Sequence, residues 1–332
     1  MIDWTSLLDQ LARGVAALSD HNSSGAPVPP YPRETQYALD LIVHECLRHG
    51  LTPPAGVPEL IQWCTNLSGQ QWPFPPAFRL DGLALVTSVQ RTRTRACAEL
   101  AGLANVADEL LSDAVADAPD SAARRQLLRS QVLVGPDTHR ELLMRNPKAA
   151  SAFRFVKDLY RPPSDEWVTH GKVALCGCGL PARLDSHDDR LTVWCERETC
   201  PPGAVSQLLP AAKALLLHPA LRLFLALPAQ LEDRLRNGLN AAGQAGHRDE
   251  VRFSDGRARP FRCYDRVVPV ALARDAVAGG VEIAVVPDDS AMADPDARWA
   301  FADALPTGTT IALMTEGELI AQAHPAERTP DA

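Results

Sequence analysis

Residues 254–266 read "SDGRARPFRCYDR", and the meaning of that stretch decides the fold of the second half of the chain. Asp255-Gly256 is a hairpin-turn signal, and a strand follows it. Successive side chains on a strand point to opposite faces, so Arg262 and Tyr264 share one face while Cys263 and Asp265 share the other. Upstream, residues 249–253 predict the partner strand. Before them Pro228 opens a helix over 228–242 that carries Leu231, Leu235 and Leu239 on one stripe. Downstream, a helix over 268–278 leads into "VEIAVV" at 281–286, apolar on both faces as a central parallel strand is. Asp294-Pro295 then starts a helix to about 304, "TTIALM" supplies another strand, and Thr315 with Glu318 forms a capping box for a last helix. Strands alternating with helices in this way predict an α/β sandwich around one sheet.

The pattern before residue 166 is different. Segments 3–19, 34–49, 57–67, 82–103, 106–117, 120–132 and 147–160 place Leu, Ala, Val and Ile at helical spacing. Pro-rich breaks at 25–32 and 71–78 separate several of them, because proline lacks an amide and fixes φ. Residues 159–167, "LYRPPSDEW", predict a linker. Helices are also predicted at 205–217, while "LRLFLAL" at 221–227 fits a strand or a buried helix. The expected organisation is therefore a helical domain at 1–165, a small cysteine-rich module at 166–204 and an α/β domain at 205–332.

A formal charge of −8 argues against a protein whose main task is coating nucleic acid, since phosphate neutralisation needs clustered cations. Local basic strips remain possible. Arg91, Arg93 and Arg95, followed by Arg124, Arg125 and Arg129, form the best candidate in the first half, with a solvated helix face as the plainer reading. No run of about 18 apolar residues occurs and no secretory leader is recognisable, so the expectation is a cytoplasmic protein without membrane contact.

The eight cysteines are unevenly distributed. Cys46, Cys64, Cys97 and Cys263 are isolated, as small core hydrophobes are, whereas Cys176, Cys178, Cys195 and Cys200 fall within 25 residues. Four soft ligands on two turns of a hairpin predict a structural Zn²⁺ ribbon, because tetrahedral thiolate coordination supplies folding energy that so small a module lacks. Gly177 and Gly179 suit the tight turn, although one residue between the first pair is a shorter spacing than the usual two. His187 and His170 stand as substitute ligands for a spared cysteine. A catalytic zinc is disfavoured, since four thiolates leave no open position for water.

The helix, hairpin, helix, strand order of 228–286 is the core order of the PD-(D/E)xK nucleases, in which a carboxylate and a Lys two residues apart on one strand hold Mg²⁺ and position water. Residues 171–332 resemble the restriction-endonuclease-fold protein encoded beside pPIWI-RE proteins in a three-gene prokaryotic defence island that also encodes a DinG-like helicase. The stretches that carry the resemblance are "GKVALCGCG…VWCERETC", "DEVRFSDGRARPFRCYDRVVPVALAR" and "VEIAVVPDD…LMTEGELI". Carried over residue by residue, Arg262 stands at the family's acid, Tyr264 at its Lys and Asp265 at its following Asp. The upstream acid falls at Arg248 or Asp249. No Lys occurs after Lys213, and neither face of 259–265 pairs a carboxylate with a cation able to act as that Lys. The resemblance thus implies a nuclease-like domain whose active site is degenerate.

Two functions stay open. One is a non-catalytic subunit that binds nucleic acid, an Argonaute-like pPIWI-RE protein or the helicase. The other is a metal-dependent endonuclease that uses Mg²⁺ at a rearranged site built from Asp249, Glu250 and Asp265. A zinc-ribbon regulator outside defence is a weaker third. The acidic loop of Asp288, Asp289, Asp294 and Asp296 sits where α/β folds place ligands, but helix capping and solvated charge explain it as well. There is no Gly-rich phosphate loop and no nucleophile elbow.

Overall fold

The computed structural model describes residues 4–21, 29–67, 72–73, 83–88, 92–116, 118–145, 147–241, 250–253 and 257–323. Its helices and strands, in chain order, are α1 (Trp4–His21), α2 (Arg33–Arg48), α3 (Val57–Trp63), α4 (Arg95–Leu100), α5 (Leu103–Val115), α6 (Ser121–Ser130), β1 (Leu133–Val134), α7 (Pro136–Arg145), α8 (Pro147–Val156) and β2 (Tyr160–Arg161). There follow β3 (Lys172–Leu175), β4 (Pro181–Leu184), β5 (Leu191–Cys195), β6 (Gly203–Ala204), β7 (Gln207–Pro210) and β8 (Leu215–Leu217). A continuous helix then runs from α9 (Pro219–Leu221) through a π-helical stretch, Arg222–Ala226, into α10 (Leu227–Ala241). The chain ends in β9 (Glu250–Arg252), β10 (Ala258–Cys263), α11 (Pro269–Ala278), β11 (Ile283–Val286), α12 (Pro295–Asp303), β12 (Ala312–Thr315) and α13 (Glu316–Ala323).

The chain divides into two compact units whose segments alternate along the sequence. The first takes Met1–Asp108, Pro162–Cys176 and Pro181–Ala212, and the second takes Glu109–Arg161, Gly177–Leu180 and Lys213–Ala332. This differs from boundaries at 165 and 204, and strand pairing is the reason. Residues 160–161 are not a linker: Tyr160 pairs with Leu217 in a three-stranded antiparallel sheet ordered β1-β8-β2. Residues 205–217 are not a helix either. Leu208 and Leu209 of β7 pair with Ala174 and Val173 of β3, and β8 lies between β1 and β2.

In the first unit, α1 and α2 cross closely at Gly14, where an added Cβ would meet the Ala38 Cβ at 2.6 Å. The Thr35 hydroxyl donates to the Gly14 carbonyl at 2.7 Å and ties the crossing. The predicted helix over 82–103 begins only at Arg95. Before it, Val86 bridges Arg93, and Thr94 caps α4 by accepting from the Cys97 amide at 3.1 Å. The same unit holds a five-stranded antiparallel sheet ordered β6-β5-β4-β3-β7. Its small core includes Trp167, stacked on Trp194 with centroids 5.5 Å apart.

In the second unit the C-terminal sheet is ordered β12-β11-β10-β9, antiparallel between β9 and β10 and parallel from β10 to β12. The hairpin, the central position of β11 and the flanking helices agree with the sequence pattern. Leu231, Leu235 and Leu239 of α10 pack with Phe261, Cys263, Val285 and Leu319 on one face. Tyr264, Leu272, Ala276, Val286 and Phe301 make the core of the other. Each fully buried leucine on the α10 stripe contributes about 1.5–3 kcal/mol through the apolar surface removed from water. The capping box also forms: the Thr315 amide donates to Glu318 Oε2 at 2.8 Å and the Glu318 amide to Thr315 Oγ1 at 3.4 Å.

Candidate functional site

Four strands of the five-stranded sheet deliver the cysteines. Cys176 follows β3, Cys178 lies in the turn to β4, Cys195 ends β5 and Cys200 lies in the turn to β6. Gly179 takes φ +77°, a left-handed conformation that a side chain at this position would strain, and a Cβ there would meet Gln230 Nε2 at 2.5 Å. The Ser206 hydroxyl donates to the Cys176 carbonyl at 2.6 Å and holds the first turn from the neighbouring strand.

The result is that the Sγ atoms of Cys176, Cys178, Cys195 and Cys200 all lie within 4.8 Å of one another. Tetrahedral Zn²⁺ with Zn–S bonds near 2.3 Å requires sulfur separations of roughly 3.8 Å, so small side-chain adjustments close the site. No disulfide joins these cysteines. Cys176 and Cys195 are buried and the other two half-buried. The donor set therefore fits a soft tetrahedral ion, and the single-residue spacing between Cys176 and Cys178 does not prevent convergence. His170 and His187 do not join it: both are exposed, His170 in the turn before β3 and His187 in the loop where its amide donates to Asp185. Among the described residues, this is the one group of three or more His, Cys, Asp or Glu placed to hold a metal.

One contact of this knuckle had no sequence signal. Glu198, between Cys195 and Cys200, takes φ +65° and accepts the Arg95 backbone N–H at 2.9 Å across 103 residues. Burial pushes its carboxyl up to about 7, against the Arg95 amide and guanidinium that pull it down.

The strand at which the resemblance places an acid and a Lys has a different character. Arg262 is exposed, with its guanidinium 5.6 Å over the Tyr264 ring. Tyr264 is buried and its hydroxyl donates to the Asp275 carbonyl at 3.3 Å. Burial raises the phenol pKa, while Arg262 opposes the shift. Next to this pair, Arg266 donates to Asp275 Oδ2 from Nε and Nη2, both at 2.9 Å, and its guanidinium stacks 4.3 Å over Phe224 in the π-helical stretch. Arg266 and Asp275 carry no sequence signal for their contact, because a pairing nine residues apart follows neither strand nor helix periodicity.

Asp265 is buried. Asp249, Arg248, Arg91 and the turn at 254–256 lie outside the described residues. Glu250 pairs with Pro260, five positions before Asp265, which lies past the end of β10 at Cys263.

The remaining candidates resolve into structural contacts. Arg95 is buried beside Glu99, with Nε 3.6 Å from its carboxylate. Arg93 is in an extended bridge, so the Arg93–Arg95 segment is not the helical strip expected. Arg124 pairs with Asp120 at 2.8 Å and lies over Phe155, and Arg129 pairs with Glu232 at 2.8 Å. In the acidic loop, Asp294 caps α12 through the Asp296 amide and Asp288 accepts the Gly317 amide at 2.8 Å.

No described helix is long and apolar enough to cross a membrane. No curated protein and no solved structure matches the chain. The family match lies in the helical half and not in the stretches within 171–332 that carry the resemblance. Residues 7–147 match the family model described as pPIWI_RE three-gene island domain Y, which associates the chain with the pPIWI-RE three-gene island.

Proposed function

We propose that the chain is a non-catalytic subunit of a pPIWI-RE-type prokaryotic defence system. In this reading the C-terminal α/β domain is a PD-(D/E)xK-like scaffold that has lost its chemistry. Together with the zinc ribbon, it binds nucleic acid, the Argonaute-like pPIWI-RE protein or the DinG-like helicase. One observation carries the reading. Arg262 and Tyr264, at the positions where an acid and a Lys would work on Mg²⁺, are closed on each other, and the phenol is tied to Asp275. Neither a guanidinium nor a protonated phenol is a ligand for Mg²⁺, which takes carboxylate and water oxygens. The domain-Y match supports the link to the island, and the four thiols support Zn²⁺ as a structural ion.

The test is incubation of purified protein with linear, circular and single-stranded DNA in Mg²⁺ or Mn²⁺, alongside co-purification with the two island partners. The expected result is intact DNA and a stable complex with at least one partner. Cleavage that disappears in Asp249→Ala or Asp265→Ala would overturn the proposal in favour of a rearranged nuclease site.

A further inference from the structure

We infer that metal at the four-cysteine centre orders the helical segment around α4, and that Glu198 is the positioning residue that transmits the effect. The inference rests on reading the centre as a metal site. Cys195 and Cys200 are separated by four residues, so an ion that binds both closes a short loop with little conformational freedom. Glu198 lies inside that loop in a left-handed backbone conformation, φ +65°, which a non-glycine residue keeps only where its surroundings hold it. From there its carboxylate reaches the Arg95 amide at 2.9 Å.

What it reaches is not a surface. All six residues of α4 are buried, and the side chains of Arg95 and Glu99 are 1% and 0% exposed. The Arg95 guanidinium is 3.6 Å from Glu99 at Nε. The Thr94 hydroxyl, which caps the helix, donates to the Ala84 carbonyl at 2.6 Å. Glu198 thus brings a second carboxylate to a buried layer that contains a cation, and it satisfies a buried amide that has no partner within its own helix. Releasing the metal frees the loop, withdraws that carboxylate and leaves the layer short of an acceptor. By linkage, loss of the Glu198 contact weakens the metal by the same factor as metal loss weakens the contact.

Hydrogen exchange of the Arg95–Leu100 amides in the full chain tests this, with zinc content measured on the same samples. In zinc-loaded wild type these amides are expected to be protected, and chelation is expected to speed their exchange at least tenfold while α10 and α11 are unchanged. Glu198→Ala is expected to show the faster exchange with zinc still bound but held more weakly, and Glu198→Gln, which still accepts from Arg95, to restore protection. Zinc-loaded Glu198→Ala that exchanges like wild type, or chelation that leaves 95–100 unchanged, overturns the coupling alone. Wild-type protein without stoichiometric metal overturns the metal reading and the coupling together. Should Glu198→Ala not fold, the wild-type chelation arm and Glu198→Gln decide.

Discussion

The five-stranded sheet and the four-stranded sheet each present polar or nucleophilic residues two positions apart, and they use them in opposite ways. At Cys176 and Cys178 the pair sits in a turn after β3, where the backbone reverses and both sulfurs face Cys195 and Cys200. At Arg262 and Tyr264 the pair sits at the end of β10, where alternation keeps both on one face, Arg262 exposed over the Tyr264 ring and Tyr264 buried and bonded to α11. Spacing alone therefore does not identify a site. The same interval gives convergence in a turn and a packed surface on a strand, and the residue types decide what either can bind.

The largest effect that separates the two regions is expected from Cys195→Ser. Removing one thiolate should abolish stoichiometric zinc and destabilise the ribbon by several kcal/mol, because binding energy there is folding energy. Elemental analysis and thermal denaturation measure it. Cys263→Ser, buried in the second unit, is the control that should leave the metal content alone. Next comes the attempt to turn the second region into a nuclease. Arg262→Asp with Tyr264→Lys should not produce Mg²⁺-dependent cleavage and should cost on the order of 3 kcal/mol or more in chemical denaturation, since it deletes a buried aromatic ring and buries an ammonium. A cleaving double variant breaks the contrast between the two regions.

Asp275→Ala should cost about 2–3 kcal/mol by the same measurement, because the Arg266 guanidinium, 6% exposed, is left without its carboxylate. The smallest effect is at the start of α13, where Thr315→Ala removes a cap worth about 1 kcal/mol. That cap is also pH-sensitive. Arg298 and then the Thr315 amide hold the Glu318 carboxyl below its ordinary value of 4.5. The stability it adds is fully present above that value and is lost as pH falls through the lower folded one. The difference in melting temperature between wild type and Glu318→Gln should accordingly shrink below about pH 4.5 and be constant above it.

Much of the C-terminal α/β arrangement was legible because each element carries its own local signal. The Leu231, Leu235, Leu239 stripe marks α10, although Pro228 does not open it because the helix already runs on from Pro219; "VEIAVV" has the two-sided apolar character of β11, and Thr315 with Glu318 writes the cap of α13. The four cysteines were legible for the same reason. What failed was set by distant partners. Residues 205–217 have helical apolar spacing, but Leu208 and Leu209 are captured by β3 and Leu216 by β1, and Pro210 supplies no amide to continue a helix. Residues 92–94 read as helix from their neighbours, yet Thr94 bonds to Ala84 and the Cys97 amide and delays the helix to Arg95. The short helix α7, opened by Pro136, was missed although Thr138 Oγ1 accepts the Gly135 amide beside it. Glu198 and Arg95 are 103 residues apart, and no periodicity links them.

The strand β8 also bears on the order of events during synthesis. Leu216 is the pairing partner of Leu133 and of Arg161, so β1 leaves the ribosome on the order of 80 residues before its neighbour, a wait of several seconds at about 5–20 residues per second. In that interval the whole cysteine module emerges. The module, with its compact sequence span, can close while Leu133 and Tyr160 still lack the strand that joins them. The three-stranded sheet is thus completed only after the whole cysteine module has been synthesised.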